Sequence, residues 1–164
     1  VNIIFKLGMF ITGFLLIKYW LLNKKLIIEL KITEANTNKM VFFGICSAVL
    51  LIIHSIFLGI KYDIAIYKLF RRVILLLFIF MEITAQFYLI KLFYKNKDLI
   101  KKLININVLN IKKVLVYSLI LVAIAILPFL PFANLKILKH ALEWDYFLGV
   151  ITFYLLTFFL WKKI

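Results

Sequence analysis

Two side chains that can gain or lose a proton stand inside long apolar stretches of this sequence. His54 lies within residues 40–60 and Glu82 within residues 73–93. An imidazole can carry a proton or bind a metal near neutral pH, and a carboxyl can hold a proton where burial favours its neutral form. Because ionisable groups are costly inside a membrane span, His54 and Glu82 are the first candidates for catalytic residues.

Uncharged polar residues extend the faces on which these two groups lie. Ser47 and His54 are seven residues apart, and Glu82 and Gln86 are four apart, so each pair shares one face of a helix. If the two stretches are antiparallel neighbours, Glu82 lies roughly 14 Å and His54 roughly 9 Å from the same membrane side, and Ser47 is level with Gln86. The spacing therefore predicts a polar seam of Ser47, His54, Glu82 and Gln86.

The seam has two interpretations. In the first, it handles protons or binds a ligand, with an imidazolium at His54 opposing the neutral form of Glu82. In the second, which we favour, a protonated Glu82 or a Glu82–His54 pair holds two helices together by hydrogen bonds. Arg71 shares a helical face with Glu82, but it lies about 16 Å away along the axis, too far to pair directly.

Haem and metal sites are weakly indicated. A membrane b-type haem usually takes two histidines, and the two in this chain are His54 and His140. His140 and Glu143 are three residues apart and could share a metal with Asp63 or Asp145, but a solvated loop histidine is the simpler interpretation. We therefore expect no metal, consider haem unfavoured, and leave the cofactor unassigned.

Several familiar chemistries lack their residues. The single cysteine, Cys46, lies in an apolar stretch, and without a C-x-x-C pair thiol–disulfide exchange has no basis. The sequence contains neither a glycine-rich phosphate loop nor a G-x-S-x-G nucleophile motif. These absences disfavour nucleotide hydrolysis and serine-type acyl transfer.

The composition identifies the elements that must position these residues. Of 164 residues, 66% are hydrophobic and 17% are charged, against about 45–50% and 25% in soluble domains. A bilayer core needs roughly 20 apolar helical residues. Five stretches approach that length: 3–22, 40–60, 73–93, 114–133 and 144–161. The sequence predicts an all-α polytopic membrane protein, a single domain over 1–164 with about five transmembrane helices and short loops.

Two features concern the ends of these spans. In the segment 96–113, Leu99, Leu103 and Ile106 follow helical spacing with lysines between them. This pattern predicts an interfacial helix on anionic lipid headgroups, while a merely basic loop remains an equal alternative. A separate expectation concerns Pro128 and Pro131, which should kink or end the fourth span.

The basic residues predict an orientation. The net charge is +14, and 12 of the 21 lysines and arginines fall on one side of the membrane, mainly in 23–39 and 94–113, against 6 on the other. The positive-inside rule then places the N-terminus outside and the C-terminus in the cytoplasm. Arg71 and Arg72, on the less basic side, argue against this orientation. The charge is thus a topology signal, and no nucleic-acid partner is expected.

These observations leave three functional hypotheses. The first is an accessory or scaffold subunit of an inner-membrane complex, with the lipid bilayer, anionic headgroups and other membrane subunits as partners. The second is a small membrane enzyme, or a redox or proton-handling module, that uses His54 and Glu82. The third, a transporter component, ranks last because five spans cannot form two equal repeats. The first stretch is expected to be an uncleaved anchor, and the lysine, isoleucine and asparagine content is typical of an AT-rich prokaryotic genome.

Overall fold

The computed structural model of the chain describes residues 3–32, 35–58, 60, 65–126 and 136–162, and leaves out the side chains of residues 35, 65, 68, 126 and 136–143. Within these ranges the chain is helical and contains no strand, apart from one isolated bridge between Ile104 and Trp161. The helices are α1 (Ile3–Glu29), α2 (Ala35–Phe57), α3 (Ala65–Lys95), α4 (Lys97–Ile100), α5 (Ile106–Ile126) and α6 (Lys136–Leu160).

Four of the described helices, α1, α2, α3 and α5, are long and apolar enough to cross a membrane. The predicted all-α, polytopic fold class is therefore confirmed. The apolar part of α6 that is described, Trp144–Leu160, is shorter, so the fifth span stays a prediction. Pro128 and Pro131, expected to end the fourth span, lie outside the described residues.

The helices extend beyond the apolar stretches that predicted them. α1 continues to Glu29 instead of ending near residue 22, α3 begins at Ala65 instead of 73, and α5 begins at Ile106 instead of 114. An apolar stretch ends where lysines or arginines cluster, but these residues are good helix formers and their charged groups can reach the headgroups from inside a span. The hydrogen-bonded helix therefore extends further along the chain than the apolar stretch.

A left-handed residue ends α1. Lys31 has a φ of 56°, and its backbone N–H donates to the carbonyl of Ile28, while the N–H of Ile32 donates to Ile27. This pair of bonds is the Schellman arrangement, which satisfies carbonyls left without a partner at a helix end.

The segment 96–113, for which the sequence left an interfacial helix and a basic loop as equal alternatives, is divided in the structure. It forms the four-residue α4, a turn, and the first part of α5. Asn105 separates the two helices, because its side-chain oxygen accepts the Asn107 N–H at the start of α5 while its own N–H donates to the carbonyl of Leu160. The pairing with the end of α6 thus replaces a continuous helix.

The chain divides into two compact units, Val1–Leu89 and Ile90–Ile164. The prediction of a single domain stays a prediction, and each unit is described by itself. In the first unit, α1 buries a stripe with alternating spacings of four and three residues: Met9, Gly13, Leu16, Trp20, Asn23 and Ile27. This stripe packs on α2, where a side chain at Gly13 would collide with Ile52 and one at Gly44 with Trp20. The two glycines therefore allow close approach.

In the second unit, α5 packs on α6 through a face of α5 formed by Leu109, Lys112, Val116 and Leu119. Gly149 of α6 lies against Leu119, where an added side chain would collide. The Tyr146 hydroxyl donates to the carbonyl of Leu119 at 2.9 Å. The opposite face of α6 is exposed and apolar: Trp144, Leu148, Ile151, Leu155 and Phe158.

Candidate functional site

Glu82 is fully buried and makes hydrogen bonds to two equally buried side chains. The Ser47 hydroxyl donates to Glu82 Oε2 at 2.6 Å, and the Gln86 amide Nε2 donates to Glu82 Oε1 at 3.0 Å. The three residues form what we call the Glu82 cluster. It joins α2, which carries Ser47, to α3, which carries the other two.

Aromatic packing beside the Glu82 cluster sets the register of α2 against α3. Phe43 stacks on Tyr88 with ring centroids 5.9 Å apart and planes at 12°. One turn further along α2, Ser47 meets Glu82. Both pairs fit two antiparallel helices, because the residue number rises along α2 as it falls along α3.

This register differs from the predicted one. Ser47 was expected at the depth of Gln86, but it bonds to Glu82, one helical turn away. The predicted depths were counted from the ends of the apolar stretches, and those ends do not coincide with the helix ends. The observed packing brings together Ser47, Glu82 and Gln86.

His54 does not join the Glu82 cluster. It lies seven residues beyond Ser47 on α2, about 10 Å along the helix axis, and no hydrogen bond links it to the cluster among the described residues. Its side chain is buried, with 8% exposure, and its Nδ1 has no hydrogen-bond partner. The predicted seam is therefore split, and the Glu82–His54 hydrogen bond considered from the sequence is not formed.

The Ser47 hydroxyl lies between two acceptors. Its oxygen is 2.6 Å from Glu82 Oε2 and 2.8 Å from the carbonyl oxygen of Gly44. A hydroxyl carries one proton and can donate to one acceptor at a time. With a proton on Glu82, the carboxyl donates to Ser47 and Ser47 donates to Gly44, so both contacts become hydrogen bonds. The Glu82 cluster can thus accommodate a neutral carboxyl without a charged partner.

Two buried polar atoms near the Glu82 cluster lack partners within the described chain. They are Gln86 Oε1 and the indole Nε1 of Trp20, whose ring covers Gly44. One is an acceptor and the other a donor, and a buried water can satisfy either kind of atom.

A further buried ionisable side chain, Lys112, was not among the residues selected from the sequence. Its side chain has no exposed surface, its Nζ donates to Thr157 Oγ1 at 2.6 Å, and Nζ lies 3.8 Å from the Phe153 ring centroid. The sequence did carry a signal: Lys112 follows Leu109 by three residues and precedes Val116 by four, on the buried face of α5. The apolar stretch begins only at residue 114, so its hydropathy does not mark Lys112 as a buried position.

The remaining candidates are less informative. Cys46 is a free, half-buried thiol, and Asp145 is exposed. Asp63 and the side chains of His140 and Glu143 lie outside the described residues. Among the residues described, no three histidine, cysteine, aspartate or glutamate side chains are grouped closely enough to hold a metal ion.

No family, curated protein or solved structure matches this chain.

Proposed function

We propose that this protein is an accessory or scaffold subunit of a membrane complex. The observation that carries the proposal is that the Glu82 cluster joins α2 to α3 through buried hydrogen bonds. Its carboxyl is fully buried and is bound by a serine of one helix and a glutamine of its own helix. A carboxyl used in this way joins helices, as polar residues commonly do inside membranes.

The surface of the described helices supports the same role. Large apolar side chains face outward on every long helix, with exposures of 76% at Ile4, 63% at Phe80 and 80% at Phe158. In a bilayer such faces contact lipid tails or the helices of other subunits. We propose both as partners, in the inner membrane.

The native mass of the complex tests this function. The full chain is extracted from its own membranes in a mild detergent and weighed by native mass spectrometry. We expect a single complex that contains this chain and other membrane subunits in fixed stoichiometry. Its mass should be the same in a second detergent. A species containing this chain alone in every detergent would contradict the scaffold role.

A proton-handling module is a second candidate, favoured by the position of the Ser47 hydroxyl between Glu82 and the Gly44 carbonyl. This arrangement accepts a proton on Glu82, and His54 offers a second buried titratable group about 10 Å further along α2. In this step Glu82 would lose and regain a proton. The Ser47 hydroxyl would donate to Glu82 when the carboxyl is ionised and to the Gly44 carbonyl when it is protonated.

Proteoliposomes separate the two candidates. Purified protein is reconstituted with a trapped pH-sensitive dye, and a potassium diffusion potential drives proton entry. Proton handling predicts flux above the protein-free leak that Glu82→Gln abolishes while the folded fraction is unchanged. The scaffold role predicts equal, leak-level flux for the wild type and Glu82→Gln.

A further inference from the structure

Two lysines of the second unit hold their ammonium groups over one aromatic ring. Lys113 Nζ lies 4.1 Å and Lys97 Nζ 5.8 Å from the centroid of the Tyr94 ring. Both ammonium groups are therefore within about one Debye length of each other (~10 Å at 0.1 M salt). The ring face attracts each cation, but it does not neutralise their mutual repulsion.

These groups lie where two spanning segments end. Tyr94 is in the last turn of α3, whose candidate span is Leu69–Lys95, and the span in α5 begins at Ile106. Side chains of a helix lean toward its N-terminus. Lys113 therefore leans toward the start of α5, which is the end of the bundle that carries Lys97. This places both ammonium groups at the level of lipid headgroups.

The short segment that carries Lys97 also presents further exposed lysines and an exposed apolar side chain. Lys101 and Lys102 are exposed in the turn that follows α4, and Lys162 Nζ donates to the carbonyl of Lys101 at 2.9 Å. Leu99, in α4, is 68% exposed. A lipid with an anionic headgroup could contact both the lysines and the apolar side chain. A free anion would interact with the lysines alone.

We propose that Tyr94, Lys97 and Lys113 form a binding site for the phosphodiester headgroup of an anionic membrane phospholipid. The phosphate oxygens accept hydrogen bonds from the two ammonium groups, and its charge relieves their repulsion. The acyl chains run along the apolar surface next to Leu99. This site is distinct from the Glu82 cluster and does not depend on the scaffold role.

Lipid titration of the full chain tests the site. Delipidated protein in detergent is titrated with phosphatidylglycerol or with phosphatidylcholine of the same acyl chains, and bound lipids are counted by native mass spectrometry. We expect preferential binding of phosphatidylglycerol. Lys97→Gln with Lys113→Gln should weaken it about 25-fold, roughly fivefold for each lysine.

A matched pair separates a defined site from diffuse attraction. Lys101→Gln with Lys102→Gln removes the same charge from exposed positions on the same segment and should weaken binding less than threefold. Equal losses in the two double variants would overturn the site. So would full competition by millimolar inorganic phosphate, which would indicate a free-anion site. Lys97→Arg with Lys113→Arg keeps both charges and should retain binding; its failure to bind while folded would also contradict the proposal.

Discussion

At the scale of single residues, two buried ionisable side chains, Glu82 and Lys112, form hydrogen bonds with uncharged groups. Glu82 meets a hydroxyl and an amide, and Lys112 meets a hydroxyl and an aromatic face. A hydrogen bond between helices contributes about 0.6 kcal/mol on average inside a membrane, and at most about 1.7 kcal/mol. Such contacts fix which residues face each other more than they add to stability.

Removing the Ser47 hydroxyl tests the bond between α2 and α3. Ser47→Ala should lower the free energy of unfolding by about 1 kcal/mol, because the hydrogen bond from Ser47 of α2 to Glu82 of α3 is lost. Ser118→Ala is the matched control, since the Ser118 hydroxyl donates to Leu115 of its own helix and is exposed. Unfolding in mixed detergent, followed by circular dichroism, measures both variants. Equal stability of Ser47→Ala and the wild type would contradict the assigned role.

Thr157 offers a similar test at Lys112. Thr157→Val keeps the shape but removes the hydroxyl that accepts the Lys112 hydrogen bond, and it should destabilise the protein by about 1 kcal/mol, as for hydrogen bonds between helices in a membrane. Thr84→Val is the control, because its hydroxyl also donates to the carbonyl four residues earlier. If the two valine variants lose the same stability in the same unfolding assay, the Lys112 bond makes no contribution.

At the scale of helices, close approach at small residues organises the packing. In the first unit Trp20 of α1 covers Gly44 of α2, and in the second Leu119 of α5 lies against Gly149 of α6. Because the ring carbons of Trp20 fill the space that a Gly44 side chain would need, this contact fixes how α1 and α2 slide along each other.

Gly44→Ala should therefore destabilise the first unit. The new methyl group would collide with three atoms of the Trp20 ring, and overpacking of this kind costs about 1–3 kcal/mol. Gly8→Ala is the control, because nothing lies within 4 Å of that position and alanine is the better helix former. Trp20→Leu in the Gly44→Ala background should restore part of the loss in thermal unfolding. Equal stability of Gly44→Ala and Gly8→Ala would contradict the close contact between Trp20 and Gly44.

At the scale of the whole molecule, the separation of charge along the sequence predicts the orientation. The described turn after α4 carries exposed Lys101 and Lys102, which belong to the more basic side. By the positive-inside rule we expect that side to face the cytoplasm.

Cysteine labelling tests this orientation. In a Cys46→Ser background, Lys102→Cys should react with a membrane-impermeant maleimide only after the cytoplasmic face is opened. Ile60→Cys, beyond the end of α2, should react in intact cells. The reverse pattern would show that the side with Arg71 and Arg72 faces the cytoplasm, although the other side carries more lysines.

The sequence predicted some of these features well and missed others for identifiable reasons. The four-residue spacing of Glu82 and Gln86 correctly predicted one shared helical face, and the apolar stretches predicted the fold class. Ser47 bonds to Glu82, whereas the sequence placed it level with Gln86, since hydropathy does not locate helix ends. Lys112 was missed because a lysine near the end of a span has the same pattern whether it faces water or a neighbouring helix. Only the packing of α6 distinguishes the two.

The central claim is that Glu82 holds helices together as a hydrogen-bonded carboxyl. The most direct measurement is the free energy of unfolding of Glu82→Gln and Glu82→Ala in one detergent. A glutamine can donate to Ser47 and accept from Gln86, so we predict stability within about 1 kcal/mol of the wild type. The alanine leaves a cavity and unpaired groups, and should lose at least about 2 kcal/mol. Equal losses in the two variants, or no loss in Glu82→Ala, would contradict the account.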